Sequence, residues 1–282
     1  MRHPHVVMLC LLGTVALSGC EHGVSREQAA KAVAEAQAVD QNNLSDIMLT
    51  VADPTEAVTY FKNALAVTPD KVELKRNLAK SEARAGLYTE AAAVLTGILA
   101  TPAGNNDDRL MLADVLIRSN EWAKAETVLN SIPPTVESYE RYRLEALVAD
   151  SKKEWKKADS FYSIAVGMTT KPQGVLNNWG FSKLTRGDGP GAEKLFQQAL
   201  TYDPTMFTAK NNLVLARAAQ HKYDLPVVDM TQEERAHLIY TAALAAIKQG
   251  DTVTGKRLLQ EAIDTSPTYF EEAARSLAAL EG

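Results

Sequence analysis

The sequence predicts an all-α protein, a right-handed superhelical solenoid of stacked helical pairs. Three observations carry that expectation. Of 282 residues 42 are Ala, the strongest helix former, against only 15 Gly and 11 Pro. Alanines recur at Ala57, Ala91, Ala125, Ala158 and Ala192, separated by 34, 34, 33 and 34 residues. Four residues after each stands a large apolar side chain (Phe61, Leu95, Leu129, Tyr162, Phe196), and a proline closes each segment (Pro69, Pro102, Pro133, Pro172, Pro204). A fixed period of this length marks supersecondary units that cannot bury their apolar faces alone and must stack.

The chain opens outside that pattern. Met1 to Cys20 reads as an export signal, with Arg2, His3 and His5 as a short basic start and Val6 to Leu17 as an apolar run. As a helix that run spans about 18 Å, short of the roughly 30 Å hydrocarbon core, so it does not predict a permanent membrane span. Leu17-Ser18-Gly19-Cys20 resembles the processing site of bacterial lipoproteins. The resemblance implies that residues 1–19 are removed and that Cys20 is acylated on its sulfur and its new amine. Cys10 falls in the removed part, which leaves Cys20 alone and excludes an internal disulfide. Three acyl chains exceed the two signals that stable anchoring takes. Glu21, where inner-membrane lipoproteins of enteric bacteria carry Asp, points to the periplasmic face of the outer membrane. Residues 20–37 then form a lipidated start, with an Ala-, Glu- and Gln-rich stretch as spacer or leading helix.

The periodic part, 38–220, resembles the tetratricopeptide repeat, a small residue marking where two helices touch and a proline stopping the second. The register predicts complete units at about 38–71, 72–105, 106–139, 139–172, 173–206 and 236–269. In the clearest, Leu176, Trp179 and Gly180 precede the Gly187 turn, and Ala192, Phe196, Ala199 and Pro204 follow. A seventh first-type helix, 207–220, lacks its partner. The segment 221–235 has no helical period and holds Pro226, which removes a backbone donor. Thr231 with Glu234 three residues on predicts a capping box that restarts a helix. Residues 236–282 are read as the last repeat and a capping helix over 270–282. The interrupting loop suits recognition, as loops do, or passive packing through Val227, Val228 and Met230.

Charge and chemistry narrow the function. A net charge of −5 disfavours a binder of nucleic-acid backbones, which needs clustered Lys and Arg. His22, His221 and His237 form no metal-ligand pair, and neither a cofactor motif nor a small-molecule site is discernible. Gly187-Asp188-Gly189-Pro190-Gly191 lacks the Lys-Ser/Thr of a phosphate loop and falls at an expected helix–helix turn. Asp107-Asp108 opens a helix, where carboxylates suit the dipole. The sequence therefore predicts no enzyme. A hydrolase centred on His221 and Asp224 is the rival from another class.

For binding, Asn43, Asn77, Asn178 and Asn212 share the sixth position of four repeats. Side-chain amides both donate and accept, so such a ladder suits the backbone of an extended peptide in a concave groove; it equally suits bonding a neighbouring helix. The second position holds Val39, Glu73, Gly174 and Thr208, so the basic partner of a carboxylate clamp is missing. Arg76, Lys80, Arg84 and Arg143 suggest a partly basic groove. Tyr88, Trp122 and Trp155 read as packing at the turns.

Longer stretches carry a more specific likeness: Asn177-Asn178-Trp179-Gly180, Ala209-Lys210-Asn211-Asn212-Leu213, Leu225-Pro226-Val227-Val228, Met230-Thr231-Gln232-Glu233-Glu234-Arg235 and Phe270-Glu271-Glu272-Ala273-Ala274-Arg275-Ser276-Leu277. Together they resemble the tetratricopeptide lipoprotein of tight-adherence (Flp) pilus systems. That resemblance implies a non-catalytic outer-membrane scaffold supporting assembly of the pilus secretion apparatus, with protein partners that include its secretin ring. A scaffold for outer-membrane protein insertion or for peptidoglycan enzymes is the alternative.

Overall fold

A computed structural model of the chain describes residues 43–280; the signal segment, Cys20 and the spacer lie outside them. The chain divides into two compact units at Asp53–Pro54. In the first, residues 43–50 form helix α1, with Thr50 Oγ1 donating to the Asp46 carbonyl at 2.7 Å.

The second unit runs through α2 (Pro54–Val67), α3 (Val72–Arg84), α4 (Tyr88–Leu99), α5 (Asn106–Arg118), α6 (Trp122–Asn130), α7 (Tyr139–Ser151), α8 (Trp155–Gly167), α9 (Gln173–Thr185), α10 (Gly189–Tyr202), α11 (Phe207–Ala218), α12 (Gln232–Lys248), α13 (Thr252–Thr265) and α14 (Glu271–Ala278). Among the described residues there is no strand, and no helix is long and apolar enough to cross a membrane. First-type helices α3, α5, α7, α9 and α12 each pack on the second-type helix that follows, and each pair stacks on the next. The result is an all-α superhelical solenoid.

The periodic residues are its core. All five repeat alanines are fully buried, as are Phe61, Leu95, Tyr162 and Phe196 four residues on, with Leu129 nearly so. Ala is needed where helix axes approach closely, and the bulky residue one turn later fills the wider space beside it. Gly180 takes this to its limit, because a Cβ there would lie 2.7 Å from the Phe196 ring.

The turns repeat as faithfully. Gly86, Asn120, Lys153, Gly187, His221 and Gly250 each have positive φ and end a first-type helix. The residue after each donates back to the carbonyl five residues earlier, as from Leu87 to Glu82, at 2.8 to 3.1 Å. These left-handed helix ends satisfy carbonyls that the helix leaves unpaired. Asn120 and Lys153 adopt them without glycine's freedom, which is why the glycine pattern shows only half of the turns.

His221 is in this series, so the interrupted unit keeps its first helix and its turn. The failure comes five residues later. In every other second-type helix after such a turn the first intrahelical bond is 3.0 Å long, donated by Ala91, Ala125, Ala158, Ala192 or Gly255. Pro226 occupies this position and has no N–H to give. The chain runs irregularly to Thr231, whose side chain accepts from Glu234 N while Glu234 accepts from Thr231 N, the expected capping box. The restart lies at Gln232, four residues before the 236 boundary read from the repeat. Within the loop Val227 is fully exposed. Tyr223, Leu225 and Met230 pack on the α12–α14 core and Val228 on the α9–α11 core.

Candidate partner-binding groove

First-type helices present one face away from their partners, and two clefts open along it. One, of about 630 Å³, lies over α3, α5 and α7 and is lined by Glu73, Arg76, Lys80, Asp107, Asp114, Glu140 and Arg143 among others. The other, of about 460 Å³, lies over α7, α9 and α11, with Leu147, Trp155, Asn177, Asn178, Phe181 and Asn212 in its wall. A third and larger cleft, about 940 Å³, adjoins the interruption between the loop and α12–α13. Of its charged groups, Arg257 is paired with Glu261 at 3.0 Å and Asp224 with Arg217.

In the first cleft the arginines are bound in place. Arg76 grips Asp108 through Nε and Nη2 at 2.8 and 2.9 Å, and Nη2 also donates to the Ala103 carbonyl at 2.8 Å. Arg143 donates to Asp114 at 2.8 Å, and Arg118 holds the other oxygen of that carboxylate at 2.6 Å. Burial opposes the charge on Asp108 and Asp114, but the arginines outweigh it and hold both carboxyls below the usual range. The groove is therefore not basic where Arg76 and Arg143 suggested it; their charge is spent on neighbours. Glu73 lies 3.6 Å from Arg76 Nη1, but the exposed Asp107 and Glu140, second residues of α5 and α7, outnumber the exposed Lys80 and leave the cleft acidic.

The second cleft has a polar floor under apolar walls. Asp150 accepts from Tyr162 Oη and Ser182 Oγ, both at 2.7 Å, which ties α7, α8 and α9 together. Burial nonetheless pushes the Asp150 carboxyl up, and burial with Asp150 pushes up the Tyr162 phenol. Nearby, Asp159 gathers Trp179 Nε1 at 2.6 Å, Lys183 at 3.2 Å and the Arg186 guanidinium, which also lies over Trp155.

Known proteins share this architecture. Tetratricopeptide-repeat profiles match residues 44–108 and 82–150. A tetratricopeptide repeat protein from Parabacteroides merdae superposes with a TM-score of 0.55 at 15% identity, over 85% of this chain and 97% of that one. The solenoid is a tetratricopeptide one. The APC/C hetero-tetramer Cut9-Hcn1 (TM-score 0.60, 13% identity) covers 84% of this chain, which spans only 48% of that one. A human IFIT1 dimer with PPP-AAAA gives a TM-score of 0.56 at 17% identity, over 80% and 59% of the two chains. At such identities the likeness concerns the fold. No curated protein sequence matches the chain.

The tetratricopeptide frame spreads the four sixth-position asparagines over different surroundings. Asn43 is exposed on α1, in the other unit. Asn77 is buried with its Oδ1 unpartnered among the described residues. Asn178 is half-buried in the wall of the second cleft. Asn212, buried, donates from Nδ2 to Asn177 Oδ1 at 3.0 Å, joining α11 to α9. Sequence reasoning passed over Asn177, although the Asn-Asn doublets at 177–178 and 211–212 were the available signal. Tyr88, Trp122 and Trp155 do each begin a second-type helix, half-buried beside its turn. His221 rests edge-on against Tyr223, with Nδ1 3.2 Å from the phenol oxygen, and Asp224 is held by Arg217.

Proposed function

We propose that this chain is a non-catalytic scaffold for protein–protein binding, anchored through Cys20 to the periplasmic face of the outer membrane, where it supports assembly of a tight-adherence pilus secretion apparatus. The observation that carries the scaffold reading is the open concave face, whose first-type helices put exposed acids, apolar side chains and amides along one groove. Tetratricopeptide repeats suit such binding because a rigid stack displays one surface over many units. Anchoring rests on the lipoprotein-like Leu17-Ser18-Gly19-Cys20 start, and the pilus context on the likeness of the C-terminal segments, including the interrupted repeat.

Two measurements separate these layers. In cells fed an alkyne fatty acid, the wild-type protein is expected to be labelled and to fractionate with outer membrane, whereas Cys20→Ala is expected to lose both. Equal labelling of the two overturns the anchor. Deleting the gene is expected to abolish surface pili and reduce assembled secretin, with rescue by wild type. Normal pili and secretin in the deletion strain remove the pilus role and leave the scaffold standing.

A further inference from the structure

The Asn177–Asn212 pair has hydrogen-bonding capacity to spare. Both residues are more than nine-tenths buried, at 7% and 8% exposure, and both line the second cleft. Their mutual bond uses Asn212 Nδ2 and Asn177 Oδ1. The other two amide atoms, Asn177 Nδ2 and Asn212 Oδ1, have no protein partner among the described residues, and neither is sealed from solvent. One is a donor and the other an acceptor, the complement of a peptide group.

The surroundings change in step along the helices. The ninth residues of α3, α5, α7, α9 and α11 are Lys80, Asp114, Leu147, Phe181 and Leu215. The first two line the acidic cleft, whereas Leu147 and Phe181 line the apolar one. Phe181 is 51% exposed, a large aromatic side chain left uncovered inside a concave surface. The second residues change with them: Glu73, Asp107 and Glu140 are exposed acids, then Gly174 and Thr208 carry no charge. The concave face is thus acidic over α3–α7 and apolar with an amide pair over α7–α11.

We propose that this face takes an extended segment of a partner protein bearing a lysine or arginine followed or preceded by apolar side chains. The apolar residues seat on Leu147 and Phe181, the main chain bonds the Asn177–Asn212 pair, and the cation lies by Asp107 and Glu140. The amides decide for an extended chain, because a helix has already spent its N–H and C=O groups internally. Helices pack about 8–10 Å apart and an extended chain rises roughly 3.3 Å per residue, so successive contacts fall about three residues apart. The acids decide the sign of the charge, since the arginines beside them are occupied and Asp107 and Glu140 outnumber the exposed Lys80. This inference deepens the scaffold reading and rests on it.

The test selects random short peptides displayed as a library against the full-length lipidated protein in detergent micelles. Enriched peptides are then measured by fluorescence anisotropy on wild type, Phe181→Ser and the double variant Asp107→Asn/Glu140→Gln. All three changes lie at exposed positions, so each variant is expected to fold. The expected binders combine a cation with apolar residues and tolerate proline between contacts. They weaken at least about tenfold on Phe181→Ser, a loss of about 1.4 kcal/mol. They weaken several-fold on the double variant, and that second difference shrinks in high salt. Binders that are acidic, are destroyed by any proline, or are indifferent to Phe181→Ser overturn this segment chemistry while leaving a protein-binding scaffold. Failure of wild type to enrich any peptide overturns both readings.

Discussion

Lys210 and Glu234 meet at 2.9 Å across the interrupted repeat, joining α11 to the first turn of α12 where no second-type helix stands between them. The Lys210 side chain is only 4% exposed, and Glu234 also closes the capping box with Thr231. One carboxylate therefore serves a buried cation and a helix start together. The Lys210 ammonium, with the Thr231 N–H, holds the Glu234 carboxyl below its ordinary range.

Glu234→Ala is expected to cost about 3 kcal/mol at neutral pH, because it strands a buried ammonium. A carboxyl whose folded pKa is depressed stabilises above its unfolded value, and that contribution is lost as pH falls through the folded one. The gap between wild type and variant in urea unfolding is thus expected to narrow below about pH 4.3, the ordinary Glu value. A gap unchanged by acid argues against the pairing.

Glu82 presents the opposite sign. It is 2% exposed, Oε2 has no partner among the described residues, and Lys62 lies 3.8 Å away. Burial raises its carboxyl pKa against the lowering by Lys62. The unfolded chain ionises first as pH rises, so stability is lost above the ordinary Glu range. Leu116 occupies the same register position one repeat on and is buried. Glu82→Leu is expected to gain about 1–3 kcal/mol near neutral pH and less at pH below about 4. Thermal melts at the two pH values measure the difference.

Gly180→Ala places a methyl 2.7 Å from a Phe196 ring that is fully buried and has no room to withdraw. The expected loss is about 1–3 kcal/mol, the usual cost of overpacking. Equilibrium denaturation resolves it, with Gly97→Ala as the control because nothing lies near that Cβ.

Lys153 holds a φ of 59° where the equivalent Gly187 holds 84°. A left-handed non-glycine residue costs roughly 1–2 kcal/mol, partly offset by glycine's greater freedom when unfolded. Lys153→Gly is expected to raise the urea midpoint modestly, and Gly187→Ala to lower it. Identical midpoints in both comparisons refute the shared turn geometry.

The repeat was legible because its residues act locally. Ala192 must be small and Phe196 large wherever two helices touch, and Pro204 must stop a helix in any context. The capping box at Thr231 was legible for the same reason. The break at Pro226 was visible as a proline, but its meaning came from register: it falls on the position that donates the first bond of each second-type helix. The turns at Asn120, Lys153 and His221 were hidden, since Lys and His seldom adopt left-handed backbone and Asn, which does so more readily, is not confined to it.

The groove was less legible. The asparagine ladder drew attention to Asn178 and Asn212, yet the amide that Asn212 meets is Asn177, thirty-five residues away in sequence. Arg76 and Arg143 suit groove cations by sequence position, but Asp108 and Asp114 hold them. Sequence alone determined the period, the helices and the point where the repeat fails, because those follow from side-chain size, backbone donors and helix propensity within a few residues. Only the tertiary structure decided which charges remain free and which amides keep a hand open toward the cleft. Those outcomes depend on pairing between helices about one repeat apart, and a pairing energy appears only once both partners are fixed within hydrogen-bond reach.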